Sequence, residues 1–274
     1  MNKQAFFENV TIITGASSGI GRQLALYLAK QGAWLSLAAR NVEHLEEVSA
    51  KCLQLGGKVI IVPTDVAEKS QCQNLIERTI EQYGRIDTLI NNAGFAITSR
   101  FDQYHDLSLY EKIIQVNFLG SVYCTYYSLP YIKKSKGRIV AISSLLGKLP
   151  SATADGYGAS KHAMAEFFSS LRNELHKSGV SVTLIFPGFV STGVSSRFLK
   201  ADGMPTGKIS IYEKGTMSTE KCATIIIKSA AGRKRDVVMT FEGKFGLLLK
   251  LIAPKLADHI LRKRALLYSK DQKI

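Results

Sequence analysis

The sequence has few of the residues that build disulfide frameworks or metal centres. Its four cysteines are scattered without a CxxC pair, and its five histidines include no HxxxH pair. Disulfide scaffolds and thiolate zinc sites require closer or more regular spacing than this. We therefore predict no structural metal, and reduced thiols lying in helices at Cys52, Cys72, Cys124 and Cys222.

Long apolar runs are also missing. No segment approaches the roughly 18 consecutive apolar residues that a transmembrane helix requires. Residues 1–9 lack the apolar core of a signal peptide. This pattern predicts a cytoplasmic protein, with peripheral membrane contact as the further option.

Acidic residues are too few to balance the basic ones. The net charge is +14, and residues 201–274 carry +8 of it. A basic end favours an anionic partner, and phospholipid headgroups, nucleic acid and a phosphorylated cofactor all qualify. Composition leaves these three classes open.

Short β-branched segments alternate with amphipathic helical segments between residues 10 and 240. Several of the short segments are continuously apolar, which is typical of parallel strands buried on both faces. The candidate strands are Val10–Thr14, Trp34–Ala38, Lys58–Val62, Asp87–Asn91, Arg138–Ser143, Ser181–Phe186 and Asp236–Thr240. The alternation predicts an α/β fold of the Rossmann type, a doubly wound parallel sheet of about seven strands flanked by helices in a single domain.

Two regions interrupt this alternation. Residues 189–217, rich in serine, glycine and threonine, predict a long substrate loop within the nucleotide-binding domain at 1–240. Residues 241–274 interleave leucines with lysines and arginines, which predicts a basic amphipathic helical tail. The apolar side chains of the tail either cover the core or an oligomer interface, or lie in a membrane interface.

A glycine-rich turn follows the first strand and leads into a predicted helix at Arg22–Lys30. The sequence from Thr14 to Gly21 reads TGASSGIG, with the spacing GxxxGxG. Glycines in a strand-to-helix turn let the backbone approach a pyrophosphate, and the helix N-terminus offers unpaired N–H groups. This context predicts a dinucleotide site.

The second strand is followed by a basic residue in place of an acidic one. An acid at this point would bind a ribose 2′-hydroxyl and repel a 2′-phosphate. Arg40 stands there, and no acid occurs before Glu43. Because a guanidinium pairs well with phosphate, we favour NADP(H) over NAD(H), with Ser17 as a second phosphate contact. The alternative is that Arg40 only faces solvent.

Tyr157 and Lys161 stand four residues apart at the start of a predicted helix that runs to about Lys177. Positions i and i+4 share a helical face, so the ammonium is expected beside the phenol. A unit charge about 4 Å away at an effective dielectric near 20 is worth about 4 kcal/mol, enough to lower a tyrosine pKa by about three units.

Ser144 follows a strand and can polarise a carbonyl. Asn117 lies mid-helix, where asparagine is unfavourable, and either has a specific hydrogen-bonding role or satisfies a local backbone group.

Taken together, these motifs resemble the short-chain dehydrogenase/reductase family over residues 8 to about 240. TGxxxGxG, NNAG, VNxxG, the strand-end serine, YxxxK and Pro187-Gly188 occur in its order and spacing. Within the family the chain is similar to the branch of hydroxysteroid dehydrogenases, ketosphinganine reductases and membrane-associated dehydrogenase/reductases.

The resemblance implies a role for each matching residue. Tyr157 would be the general acid/base, and Ser144 rather than Ser143 would orient the substrate carbonyl. Lys161 would lower the Tyr157 pKa and bind the nicotinamide ribose. Asn117 would hold a water molecule. The implied cofactor-binding residues are Gly15, Ser17, Ser18, Gly19, Ile20, Gly21, Arg40, Asp65, Val66, Asn91, Ala93, Gly94, Tyr157, Lys161, Pro187, Gly188, Val190 and Thr192.

The resulting hypothesis is an NADP(H)-dependent oxidoreductase. It would interconvert a carbonyl and a secondary alcohol on a lipophilic substrate such as a steroid or long-chain keto-lipid. The alternative is a non-catalytic, dinucleotide-sensing or surface-binding protein of the same fold. We expect no nucleic-acid partner, because no recognised nucleic-acid module accompanies the basic charge. By resemblance, helices Ser108–Lys134 and Tyr157–Lys177 would form the interface of a homodimer or homotetramer.

Overall fold

A parallel sheet of seven strands forms the centre of the protein. The computed structural model describes residues 5–207 and 216–272. The strands of this sheet are β1 (Val10–Thr14), β2 (Trp34–Ala39), β3 (Lys58–Pro63), β4 (Thr88–Asn91), β5 (Arg138–Ile142), β6 (Ser181–Phe186) and β9 (Asp236–Val238). Two further short strands, β7 (Val190–Ser191) and β8 (Met217–Ser218), pair with each other in parallel. The predicted Rossmann-type fold is confirmed.

Helices cover both faces of this sheet. They are α1 (Gly19–Ala29), α2 (Val42–Gln54), α3 (Lys69–Tyr83), α4 (Ser108–Ile114), α5 (Gly120–Lys134), α6 (Asp155–Glu174), α7 (Thr219–Ala231), α8 (Phe241–Ile252) and α9 (Pro254–Gln272). Helices α1, α2 and α7 pack in one apolar cluster, and α3, α5 and α6 pack in the other. None of the described helices is both long and apolar enough to cross a bilayer.

The order of the strands places a crevice above the centre of the sheet. The order is β3-β2-β1-β4-β5-β6-β9, so the winding direction reverses between β1 and β4. Ligands of open α/β sheets bind outside the carboxyl ends of the strands at such a reversal. The turns after β1, β4 and β5 therefore border the expected site.

All four cysteines lie buried in helices, as the sequence predicts. Cys52 and Cys222 belong to one apolar cluster, and Cys72 and Cys124 to the other. Burial raises the pKa of the Cys52 and Cys222 thiols to about 12, which keeps them protonated near neutral pH. These two thiols act as small apolar groups of the core.

Several element boundaries differ from the sequence expectations. Helix α1 begins at Gly19, three residues early, because the Arg22 amide already donates to the Ser18 carbonyl at 3.1 Å. The predicted helix Ser108–Lys134 is interrupted by a π-helical turn at Gln115–Leu119, and the helix expected at Tyr157–Lys177 occupies Asp155–Glu174.

The strand ends and the tail differ as well. Strand β4 excludes Asp87, whose carboxylate accepts from the Val10 amide at 2.9 Å. Strand β9 stops at Val238, because Thr240 caps helix α8. The tail consists of two helices, since Pro254 cannot continue the first one.

Candidate active site

The glycine turn after β1 is fastened to the turn after β4. The Thr14 hydroxyl accepts from the amides of Asn92 and Ala93, each at 3.0 Å. The Asn92 side-chain amide in turn donates to the carbonyls of Thr14 at 2.9 Å and Gly15 at 3.2 Å. These hydrogen bonds join the two turns into one surface at the point where the winding direction of the sheet reverses.

Three glycines, Gly15, Gly19 and Gly21, allow the backbone of the two turns to adopt this close arrangement. A Cβ at Gly15 would lie 2.9 Å from the Ala93 Cα, and one at Gly21 would lie 2.2 Å from the Gly15 carbonyl oxygen. Gly15 and Gly19 also have φ of +66° and +54°, a region that other residues rarely adopt. Among residues 5–207 and 216–272, a Cβ at Gly19 would meet only Thr192 at 3.6 Å, so these residues leave the turn open at the helix N-terminus. This open turn fits a pyrophosphate.

The segment after β6, residues 187–207, packs against the same glycine turn. The Pro187 carbonyl accepts from the Leu145 amide at 2.8 Å, which joins this segment to the turn after β5. Val190 is buried, and Thr192 stands opposite Gly19. Gly188 packs against the methyl group of Thr240, where a Cβ would lie at 3.2 Å. The structure therefore brings the expected Pro-Gly segment to the glycine turn.

Arg40 and Asp65 flank the outer side of the crevice. Their side chains form a long ion pair of 3.8 Å, and the Arg40 side chain is 70% exposed. An exposed pair at this distance contributes little to stability, so the guanidinium can turn to another anion. Asp65 also accepts from the Ala67 amide at 3.0 Å, and the buried Val66 packs against Gly120.

Two of the expected cofactor residues, Asn91 and Gly94, lie close to other polar side chains of the protein. Asn91 is buried, and its side-chain amide donates to the Thr125 hydroxyl of α5 at 3.0 Å, away from the glycine turn. Gly94 is exposed, and a Cβ there would lie 2.9 Å from Asn117 Oδ1 and 3.4 Å from Lys161 Nζ, so a larger residue would crowd these two side chains. Ile20 packs on the core beneath the turn, beside the partly exposed Ser17.

Tyr157 and Lys161 lie on one face of α6, as their spacing predicts. The Lys161 Nζ is buried, lies 5.9 Å from the centre of the Tyr157 ring and donates to the Ile142 carbonyl at 2.9 Å. Burial lowers the pKa of Lys161 to about 8. The ammonium is still mostly protonated at neutral pH, and it stands between the end of β5 and the phenol.

The pKa of Tyr157 moves opposite to the expectation from sequence. Burial raises it above its ordinary value of 10.0, and a hydrogen bond with Ser144 only partly opposes that rise. Desolvation disfavours the charged phenolate. Burial thus outweighs the lowering of the Tyr157 pKa that the spacing to Lys161 led us to expect.

The structure separates the two neighbouring serines at the end of β5. The Ser143 hydroxyl is buried and donates to the Lys161 carbonyl at 3.0 Å, so it fastens α6 to the sheet. Ser144 caps the short 3-10 turn Leu145–Gly147 by accepting from the Leu146 amide at 3.2 Å, and it is hydrogen bonded to Tyr157. This arrangement supports the choice of Ser144 over Ser143 as the group that meets a substrate.

Asn117 lies fully buried in the π-helical turn between α4 and α5. Its side chain accepts from the Phe95 amide at 3.0 Å and donates to the Phe95 carbonyl at 2.9 Å and to the Ser160 hydroxyl at 3.0 Å. Both donors and one acceptor position of the amide are therefore occupied by protein. Asn117 links the turn after β4 to the helix that carries Tyr157.

Comparison with known proteins agrees with this geometry. Residues 9–202 match the family described as short chain dehydrogenase. The chain belongs to this family. 11-beta-hydroxysteroid dehydrogenase-like 2 of Arabidopsis thaliana is 38% identical over 264 residues, which cover 94% of this chain and 83% of the relative. 11-beta-hydroxysteroid dehydrogenase A of Arachis hypogaea is 36% identical, over 92% of this chain and 74% of the relative.

Two solved structures share the fold. An alcohol dehydrogenase from Thermococcus sibiricus, complexed with 5-hydroxy-NADP, has a TM-score of 0.73 and 26% identity, over 84% of this chain and 94% of that one. A short chain dehydrogenase/reductase from Burkholderia phymatum, in complex with NAD, has a TM-score of 0.82 and 24% identity, over 92% and 96%. The chain is thus a short-chain dehydrogenase/reductase of the hydroxysteroid dehydrogenase branch, an oxidoreductase acting on CH–OH groups.

Sequence reasoning missed one residue of this short-chain dehydrogenase site. Asn92 joins the glycine turn to the turn after β4 through its side-chain amide. The signal was present in the NNAG motif, where an asparagine side chain stands directly after a buried strand. Only the fold shows that Asn92, rather than Asn91, turns toward the glycines.

Proposed function

We propose that the protein interconverts a carbonyl and a secondary alcohol on a lipophilic substrate with NADP(H), and that Tyr157 is the general acid/base. The observation that carries the proposal is the convergence of Ser144, Tyr157 and Lys161 beside the turn after β4. A bound nicotinamide would supply or accept the hydride. The groups that handle the proton and the carbonyl oxygen come from this chain.

Each of the three side chains has a distinct task. The Ser144 and Tyr157 hydroxyls are hydrogen bonded to each other, and a carbonyl oxygen that replaces this bond would accept from both. A phenol whose pKa is raised holds its proton at neutral pH, so Tyr157 is ready to donate in the reductive direction. The buried Lys161 ammonium then stabilises the negative charge that the phenol acquires.

The preference for NADP(H) rests on Arg40. Its guanidinium is exposed, follows β2 and holds Asp65 only at 3.8 Å, so a 2′-phosphate can compete for it. The variant Arg40→Asp should reverse the preference, because the new carboxylate repels a 2′-phosphate and can accept from a ribose hydroxyl. The ratio of Kd values for NADP⁺ and NAD⁺, measured by calorimetry, checks this; an unchanged ratio contradicts the role of Arg40.

The lipophilic substrate rests on apolar residues beside the site and on the named relatives. Phe189 and Met204, in the segment that closes over the glycine turn, are 44% and 60% exposed. Apolar side chains around a few polar groups are typical of small-molecule sites. The relatives named as 11-beta-hydroxysteroid dehydrogenases point to the same substrate class.

A substrate panel tests the proposed reaction. The purified protein is assayed with NADPH and NADH on steroid ketones, long-chain keto-lipids, small aldehydes and keto-sugars, with consumption of the reduced cofactor as the readout. We expect turnover of lipophilic carbonyls with NADPH. Preferential turnover of keto-sugars contradicts the substrate class, and nucleotide binding without any turnover favours the non-catalytic alternative.

We further propose that helix α8 contacts the surface of an anionic membrane. Its exposed apolar side chains recur at the spacing of one helical face, at Phe241, Phe245, Leu248 and Ile252. Exposed Lys244 borders this face, and the last quarter of the chain carries +8. An apolar face with a lysine at its border is typical of helices that lie in a membrane interface.

A matched pair of variants tests the membrane contact. Leu248 and Leu53 are both 54% exposed, but Leu53 lies on α2, outside the tail. Leu248→Asp should reduce flotation of the full chain with vesicles of phosphatidylserine and phosphatidylcholine, whereas Leu53→Asp should not. Absence of wild-type flotation, or equal losses in both variants, contradicts the proposal.

A further inference from the structure

An arginine from the segment after β6 reaches the glycine turn from above. Arg197 ends the short 3-10 turn Val194–Arg197, and its Nη1 donates to the Ser18 hydroxyl at 3.2 Å. The two residues are 179 positions apart in sequence. Ser18 directly precedes α1, so the guanidinium lies at the N-terminus of the helix where the turn is open.

Backbone bonds hold this arginine in place. The Leu199 amide donates to the Ala96 carbonyl at 3.0 Å, and the Thr98 amide donates to the Leu199 carbonyl at 2.8 Å. These bonds fasten the segment to the chain just beyond the turn after β4. Ser195, two residues before the arginine, is fully buried. Arg197 is therefore carried by a segment packed on the site itself.

Arg197 has no ion-pair partner in the part of the chain that the structure describes. No carboxylate in the described ranges 5–207 and 216–272 forms an ion pair with it. Its guanidinium donates to the neutral Ser18 hydroxyl, which uses one of its five N–H groups, and the side chain is exposed. A cation held at an open helix N-terminus with spare donors is suited to a phosphate.

We infer that Arg197 is a phosphate-binding residue of the nucleotide site, brought there by the segment after β6. The inference rests on the proposed nucleotide-dependent function and adds a contact that the glycine motif and Arg40 do not include. NADP(H) has two anionic parts that Arg197 could bind, the pyrophosphate and the 2′-phosphate.

Nucleotide binding to variants of the full chain tests this inference. Kd values for NADP⁺ and NAD⁺ are measured by calorimetry for the wild type, Arg197→Met and Arg197→Lys. Lys200→Met is the matched control, because Lys200 lies in the same segment and pairs with Asp202 at 3.4 Å. A charge-assisted hydrogen bond implies that Arg197→Met weakens binding by about tenfold to a hundredfold. Arg197→Lys should recover part of the loss, and Lys200→Met should stay within about twofold of the wild type.

The two nucleotides identify the phosphate. Equal losses for NADP⁺ and NAD⁺ assign the pyrophosphate, and a loss confined to NADP⁺ assigns the 2′-phosphate. Binding of both nucleotides by Arg197→Met within about twofold of the wild type overturns the inference. So does an equal loss in Lys200→Met. If carbonyl turnover persists in those cases, the proposed function stands while this inference fails.

A second readout uses the unmodified protein. Phenylglyoxal labelling of Arg197, followed by mass spectrometry of the digested chain, should slow at least severalfold when NADP⁺ is present. Labelling of Arg78, whose side chain is 62% exposed on α3, serves as the internal reference. Equal labelling of Arg197 with and without nucleotide contradicts the inference, even if the variants lose affinity through altered packing.

Discussion

At the scale of single residues, burial of the Lys161 ammonium in the site reduces the stability of the folded protein. The pKa of Lys161 falls to about 8 because its ammonium is buried. The unfolded chain therefore binds more protons than the native state between about pH 8 and the ordinary lysine value of 10.5. Burial of the protonated Lys161 therefore reduces the free energy of unfolding by its full amount below this pH window, and the reduction disappears as the pH rises through the window. The change in the Lys161 pKa corresponds to about 3 kcal/mol.

The variant Lys161→Met should make this penalty measurable. The stability of Lys161→Met minus that of the wild type should decrease by about 2 kcal/mol between pH 7 and pH 9.5, because the wild-type penalty fades over this range. Urea unfolding of both proteins at the two pH values gives the difference. Other titrating groups cancel, since they are common to both proteins. A difference that is independent of pH contradicts the burial of a charged Lys161.

The residue scale also shows where sequence reasoning stops. The spacing of Tyr157 and Lys161 correctly placed both side chains on one face of α6. It could not show that Lys161 donates to the Ile142 carbonyl, or that burial raises the Tyr157 pKa. Both effects depend on atoms from β5, whose distance from the helix is set by packing and not by spacing along the chain.

At the scale of elements, helix α6 contains two glycines in contrasting surroundings. A Cβ at Gly158 would meet only the Leu146 carbonyl at 3.5 Å, which is an ordinary contact. A Cβ at Gly156 would lie 2.8 Å from the Ile97 side chain and 3.0 Å from the Tyr110 ring. The same substitution should therefore have opposite effects at two positions of one helix.

Thermal or urea unfolding of two alanine variants checks this contrast. Gly158→Ala should stabilise the protein by about 0.5–1 kcal/mol, because alanine loses less backbone entropy in a helix. Gly156→Ala should destabilise it by about 1–3 kcal/mol through overpacking. Equal effects of the two substitutions would show that the packing around the start of α6 differs from this description.

The elements themselves were predictable to different degrees. Apolar runs gave all seven strands of the main sheet within two residues at each end. The π-helical turn around Asn117 was not predictable, because it depends on side-chain bonds to Phe95 and Ser160 from other parts of the chain. The short strands β7 and β8 were also missed, since two residues carry no periodicity.

At the scale of the whole molecule, helix α5 presents exposed tyrosines that one chain leaves uncovered. Tyr126 is 69% exposed and Tyr131 is 38% exposed, and Phe118, in the π-helical turn before α5, contacts Phe167 of α6. Aromatic residues are enriched at protein interfaces. We expect these helices to form the interface of a homodimer or homotetramer.

Analytical ultracentrifugation tests that assembly. Tyr126→Glu should lower the measured mass to that of a single chain, because a carboxylate would be buried without a partner. Leu53→Glu on α2 is the control and should keep the wild-type mass. A wild-type protein that sediments as a monomer contradicts the expected assembly.

The overall architecture follows from sequence more securely than the surroundings of the site. Alternating strands and helices with right-handed crossovers leave few arrangements of a parallel sheet, and the motifs mark the strand ends. The packing of α8 over the turn after β5, where Gly243 touches Leu145, was not predictable from amphipathic spacing. Its position depends on long-range contacts and the cap at Thr240.

In the proposed mechanism the Tyr157 hydroxyl is the proton donor and acceptor. The most direct test of this role compares Tyr157→Phe with Tyr126→Phe, a variant of an exposed tyrosine on α5. We predict that Tyr157→Phe lowers kcat/KM for a lipophilic carbonyl by about 10²–10⁴-fold while nucleotide affinity stays within about twofold, and that Tyr126→Phe keeps full activity. Undiminished turnover by Tyr157→Phe would contradict the claim.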